Sequence, residues 1–395
     1  TKTIIFFMQK KYFHNFNGLR FYFASYILFA HIEEIKMVLH LPNFFRKYKF
    51  VEPLGTSAIT LFFTMSGFLI SYFLFMEKDK NAESKINLKK FYRSRIVRIW
   101  PLYFLCILLY WGVGPHSFLS DIFNNVYFTQ VFQVAHEVVI PKLVYLGLFL
   151  VILPQLAGAI AFTYGGMAVY GGHAWSIGSE ELFYVFWPLL LNKFKNYKKI
   201  FKVGFFLVYS WYVLLIFAFI LNKFIFKNAQ LTGILMTITS FLALTRLYCM
   251  LIGGLLAYLY VNNHRWLQFL RNKIVLTVSL ILLAIMIING LDAPFLVHDI
   301  YSLLWAVVLL YFADNETGFK WLNNKSVSYL GSITYGVYMY HVFIIILLLY
   351  AAQQLQITDN FWLLNIMLYV LSPVLTFVVS HYSYKYFESK FLRLK

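Results

Sequence analysis

Apolar runs about as long as a bilayer is thick recur along this chain, and they leave it few ways to fold. Leu143–Phe162, Phe205–Leu221 and Ile333–Tyr350 are the clearest. Each is at or near the roughly 20 residues that a helix needs to cross about 30 Å of hydrocarbon. In that medium the backbone polar groups must be satisfied within the segment, which a helix does and an irregular chain does not. Composition agrees, with 61% of the 395 residues hydrophobic and 13% charged, against roughly half and a quarter in soluble domains. The sequence therefore predicts an all-α fold, a polytopic integral membrane helical bundle forming a single membrane domain over residues 1–395. An ordinary cytosolic enzyme is excluded.

About ten spans are expected, at roughly 17–38, 55–76, 99–114, 180–192, 203–221, 240–261, 274–290, 299–313, 330–350 and 361–382. With both termini in the cytoplasm, 26 of the 34 Lys and Arg fall on inner segments, seven fall outside, and Arg246 lies within a span. That distribution follows the positive-inside rule. The run 143–164 is the ambiguous one. Counted as a span, it would export Lys193, Lys195, Lys198, Lys199 and Lys202, so it is expected to be a re-entrant or surface-lying segment broken by Pro154 and Gly158. The first outer loop fits poorly, with Lys36, Arg46, Lys47 and Lys49 beside Glu33, Glu34 and Glu52. Thr3–Met8 is too short for a signal-peptide core, so the first span is expected to stay as an anchor. The longest hydrophilic stretches, 77–98 and 115–142, are too small for a fold of their own.

The net charge of +18 would suit nucleic acid only if it were gathered on a soluble face with stacking side chains. Here the aromatics sit in the spans, and no nucleic-acid partner is expected. Cys106 and Cys249 lie in apolar runs without a C-x-x-C or Cys/His cluster, which points to no disulfide framework and no metal site.

Ionisable residues inside spans are costly and therefore candidates for function. Arg20 and His31, eleven residues apart, share one helix face about 16 Å apart along the axis. The plainer alternatives are an Arg anchored to lipid phosphate and a packing histidine. Arg95 and Arg98 are neighbours at i, i+3 on one face and suit a phosphate or pyrophosphate, or equally a lipid headgroup. Pro101 suits an early helical turn. Glu180 and Glu181 open an apolar span on the outer side, where a single carboxylate would suffice as a helix cap. Arg246 needs a partner within its span, and His341 sits in a span three residues after Tyr338.

Taken in order, these segments resemble the membrane acyltransferase-3 family. NGLRFYFASYILFAH (17–31) matches its opening Gly-Leu-Arg, ten residues, His. FFTMSGFLI (62–70), with Ser66, matches its second-span motif, and FYRSRIVRIWPLY (91–103) its Arg-x-x-Arg followed by Pro-x-Tyr. LVILPQLA (150–157), WSIGSEELFYVFWPLL (175–190) and SITYGVYMYHVFI (332–344) match three later blocks. The likeness covers about residues 17–345. Phe21 after Arg20, Gly178-Ser179 before the glutamates and Leu182 in place of Gln depart from the pattern. A fused esterase-like domain, which some members carry, is not expected within residues 1–395.

The resemblance implies a ten-helix core with cytoplasmic termini in a bacterial inner (plasma) membrane. It also implies acyl transfer from cytoplasmic acyl-CoA, acetyl-CoA by default, to a hydroxyl on an extracytoplasmic glycan or glycoside. Arg20, Arg95, Arg98 and Ser66 would hold the donor, with no metal. His31 would act as general base, with Glu34, Glu180 or Glu181 to orient it or balance its charge. Arg246, Tyr338 and His341 are the available oxyanion donors, and the sequence does not choose among them. A membrane transporter or flippase is the alternative; it predicts inverted repeats or paired broken helices, and none is visible in the sequence.

Overall fold

The computed structural model describes residues 12–44, 48–80, 85–122, 142–164, 170–293, 296–315 and 319–394. Arg46, Lys47, residues 165–169 and most of the segment 115–142 lie outside them. Among the described residues every regular element is helical. The chain runs α1 (His14–Val38), α2 (Val51–Lys80), α3 (Leu88–Ile107), α4 (Lys142–Leu150), α5 (Pro154–Tyr164), α6 (Trp175–Lys193), α7 (Tyr197–Leu221), α8 (Ala229–Thr245) and α9 (Leu247–Val261). It continues through α10 (Trp266–Leu270), α11 (Lys273–Ile288), α12 (Val297–Asp314), α13 (Lys325–Ser332), α14 (Thr334–Gln354), α15 (Phe361–Ile366), α16 (Ser372–Ser383) and α17 (Ser389–Leu392). Wider π turns continue α3 and α7 and join α15, α16 and α17.

Among the described residues seven stretches are long and apolar enough to cross a membrane, and this is a multi-pass membrane protein. α11 is apolar but shorter. α1 and α6, with 25 and 19 residues, are long enough but carry Arg20, Glu33, Glu34 and Lys36 or Glu180 and Glu181. Of the candidate site residues α1 carries three, Arg20, His31 and Glu34, and α6 two, Glu180 and Glu181. Together with the seven and α11 these two helices account for the ten expected spans.

α2 is the central post. Of its most apolar stretch 72% is buried, against 11% for the lipid-facing α7. Hydroxyls along it are pinned to three neighbours: Trp305 Nε1 donates to Ser57 Oγ at 2.9 Å, Thr64 and Ser302 share a bond of 2.7 Å, and Trp187 Nε1 donates to Ser71 Oγ at 2.8 Å. α9 crosses α2 so closely that a Cβ on Gly67 would overlap the Met250 carbonyl and one on Gly253 the Thr64 carbonyl. Small residues at such a crossing allow the backbone contact that replaces hydrophobic drive between helices in lipid.

Three expectations need correction. The run 143–164 is broken, as expected, but at Ile152, which takes a left-handed φ of 59° just before Pro154; Gly158 lies inside α5. Neither α4 nor α5, nine and eleven residues long, can cross alone at about 1.5 Å per residue. The sixth span begins at Ala229 rather than 240 and is interrupted at Arg246, φ 41°. Finally, α3 starts at Leu88, where Asn87 Oδ1 caps the Lys90 amide at 3.0 Å, so Pro101 is interior and not in an early turn.

Candidate functional site

A cavity of about 470 Å³ opens between α1, α2, α3, α6, α14 and the C-terminal turns. That size falls in the usual range for small-molecule sites. Arg20, Arg95, Arg98, Ser66 and Glu180 all line it, so the structure brings together four residues expected to hold a donor and one expected elsewhere. Arg95 lies with its guanidinium over the rings of Phe91 and Tyr184, 5.5 and 5.4 Å from their centroids, and its Nε has no acceptor. Arg98 is exposed at the mouth. Arg20 Nη1 donates to Asn17 Oδ1 at 3.1 Å. Three guanidiniums converging from α1 and α3 make this end strongly anion-seeking, because each can give paired charged hydrogen bonds to phosphate.

From Arg20 the cavity wall climbs α1 through Ala24 and Ile27, the i, i+4, i+7 stripe whose next member is His31. The geometry at His31 fixes its tautomer. Its Nδ1 lies 2.9 Å from the Ile27 carbonyl and 3.0 Å from His341 Nε2, while His341 Nδ1 lies 2.7 Å from the Tyr338 carbonyl. A carbonyl can only accept, so both Nδ1 atoms carry hydrogen, and His341 Nε2 accepts from His31. The lone pair of His31 is thereby left on Nε2, and Glu34 Oε2 stands 3.8 Å from that atom. Glu34 is on the basic side of the ring; the orienting side belongs to the Ile27 carbonyl and His341. The structure thus gives Glu34 a place to balance an imidazolium, not to orient the imidazole.

The paired glutamates separate. Glu180 accepts from Ser66 Oγ at 2.6 Å and from Tyr184 at 2.7 Å, inside the cavity. Glu181 faces α3, where Trp100 Nε1 lies 3.4 Å away. Neither orients His31. Arg246 is also elsewhere: Nη1 donates to the Thr56 carbonyl at 3.2 Å and to Thr60 Oγ1 at 3.0 Å, and the guanidinium sits 5.4 Å over Trp175. Thr60 Oγ1 continues to His298 Nδ1 at 3.4 Å, and His298 Nε2 to Asp292 at 3.1 Å. Tyr338 lines the cavity; its hydroxyl accepts from Ser176 Oγ at 2.8 Å and donates to the His173 carbonyl.

Several residues here were not singled out from the sequence. His173 packs against the histidine pair, its ring 5.2 Å from His341 and 6.3 Å from His31. Its place two residues before Trp175 was the available signal. Glu388 lines the cavity from the C-terminal π turn, where nothing in the sequence marked it. Glu33 and Lys36, counted as outer-loop charges, are buried as an ion pair of 2.5 Å. Lys36 also donates to Asn365 at 2.8 Å, and Tyr369 donates to Glu33 at 2.5 Å. That pairing removes one lysine from the loop that fitted the charge rule poorly.

The family profile described as an acyltransferase domain matches residues 13–384. The chain belongs to the acyltransferase-3 family. A protein of Staphylococcus aureus (strain COL), provisionally named an O-acetyltransferase, is 23% identical over 352 residues, covering 85% of this chain and 52% of the relative. Peptidoglycan O-acetyltransferase OatA of Listeria monocytogenes is 22% identical over 355 residues, covering 85% and 51%. An uncharacterised protein of Haemophilus influenzae is 28% identical over 228 residues, 56% of this chain and 83% of its own length. The chain spans about half the length of the first two. No solved structure matches it.

Proposed function

We propose that this acyltransferase-3 protein moves an acyl group, acetyl by default, from acyl-CoA to a hydroxyl of a glycan or glycoside across the membrane. The observation that carries this reading is one helix face: Arg20 at the phosphate-seeking mouth, Ala24 and Ile27 along the cavity wall, and His31 with a free Nε2 beyond its far end. Arg20, Arg95 and Arg98 would take the phosphates, with their end of the bundle cytoplasmic. The cavity would hold the pantetheine arm, Ser66 and Glu180 forming part of its wall. The about 16 Å of helix between Arg20 and His31 is of the order such an arm covers. His31 Nε2 takes the hydroxyl proton as the C–O bond forms, and returns it to the sulfur after the C–S bond breaks. Glu34 balances the transient imidazolium.

The relatives named for O-acetylation, one of them for peptidoglycan, support an acetyl donor and a cell-envelope glycan acceptor in a bacterial inner membrane. The test is acyl transfer by membranes containing the protein, supplied with radiolabelled acetyl-CoA and solubilised envelope glycans. Label appearing in glycan, and absent from membranes lacking the protein, is the expected result. Glycans that stay unlabelled at every acyl-CoA supplied would remove the reading.

A further inference from the structure

Attack on a thioester puts negative charge on its carbonyl oxygen, which needs a donor already in place. In this fold the three donors suggested by sequence have partners, although the Arg246 Nε hydrogen is left without one. Arg246 is bound to Thr56 and Thr60, the Tyr338 hydroxyl gives its hydrogen to the His173 carbonyl, and His341 gives Nδ1–H to Tyr338 and accepts at Nε2. Packed on the histidine pair lies a further side chain with unspent capacity. His173 is 8% exposed, and neither of its ring nitrogens makes a well-formed hydrogen bond. Its polar neighbour is the Met339 carbonyl, which also accepts from Tyr110 at 3.3 Å. A buried polar group left in that state costs free energy and calls for an explanation.

Resting on the function proposed above, we infer that the His173 imidazole is the oxyanion donor of the transfer. The Tyr338 ring, which walls the cavity, is 5.6 Å from the His173 ring and 5.6 Å from His341. A thioester carbonyl moving from the cavity toward His31 displaces Tyr338, and the space it vacates is bordered by His173 on one side and the histidine pair on the other. As the acceptor oxygen bonds to the carbonyl carbon, the C=O electron pair moves onto oxygen, where the His173 N–H holds it. The hydroxyl proton goes to His31 Nε2. On collapse the C=O re-forms, the C–S bond breaks, and the thiolate takes that proton from His31.

The experiment compares wild type, His173→Ala and His173→Gln in nanodiscs. It reads steady-state transfer from acetyl-CoA to envelope glycan and binding of a non-reactive thioether analogue of acetyl-CoA. His173→Ala is expected to lower kcat by about 10²–10³-fold while KM for both substrates and analogue affinity stay within about twofold. His173→Gln, which keeps an N–H, is expected to recover at least about tenfold of that loss. Equal losses in the two variants, unchanged turnover in His173→Ala, or analogue binding that falls in step with kcat would each overturn the assignment. Wild-type protein that binds the analogue but transfers nothing would instead remove the proposed function, and this inference with it.

Discussion

Two clusters inside this bundle have nearly the same ingredients. One holds His31, His341 and Glu34, with His173 beside them; the other holds His298, Asp292, Arg246 and Thr60, with Trp175 above the guanidinium. Both join different helices, and both bury ionisable groups where a membrane makes that costly. In the second, the Arg246 and Asp292 charges are linked through Thr60 and His298, and the network ties the α8–α9 break to α2. In the first, a lone pair on His31 and the His173 ring are left over, beside a cavity walled with arginines. Arg246 Nε also lacks an acceptor, so the clusters differ in degree: ionisable groups in a span divide by how much of their capacity remains unused, not by their presence.

The largest effect that would break the comparison is expected at His31. His31→Ala should lower transfer by about 10²–10⁴-fold without changing affinity for a thioether analogue of acetyl-CoA; turnover near wild type would move the chemistry elsewhere. Arg246→Met should act on the fold instead, removing about 1.5–3 kcal/mol and lowering the melting midpoint in detergent, while turnover per folded molecule changes little. A rate loss at unchanged midpoint would place Arg246 with the histidines. Arg95→Ala and Arg98→Ala should each raise KM for acetyl-CoA by about tenfold, leaving KM for the acceptor alone; a shift confined to the acceptor would reverse the sidedness of the cavity. Ser66→Ala removes one of the two hydrogen bonds to Glu180 and should cost only a few-fold in the same KM, about 1 kcal/mol.

Much of this was legible in the sequence because lipid simplifies the problem. Span positions follow from hydropathy, and the break before Pro154 from a missing backbone donor. Arg20 and His31 fell on one face by helical arithmetic alone, and Arg95 with Arg98 likewise. What stayed hidden depended on helix rotation and contact between distant segments. Glu180 and Glu181 are adjacent in sequence but point to a cavity and to Trp100, about 100° apart around α6. Glu33 looked solvent-facing until Lys36, Tyr369 and Asn365 from the far end of the chain enclosed it. The interruption at Arg246 left no Pro or Gly to announce it.

The glycine crossing of α2 and α9 sets which wall of the cavity is free to evolve. Phe62, Phe63, Ser66, Leu69 and Ile70 reach the cavity from the same turns of α2 that carry Gly67. With backbone against backbone, those turns have no slack to yield to a larger guest. Tyr384 and Glu388 line the cavity from a turn wound more loosely than an α-helix, and Leu392 from the short α17 that follows. A population selected to accept bulkier acyl donors should therefore accumulate its substitutions at the C-terminal end and leave the α2 face almost untouched.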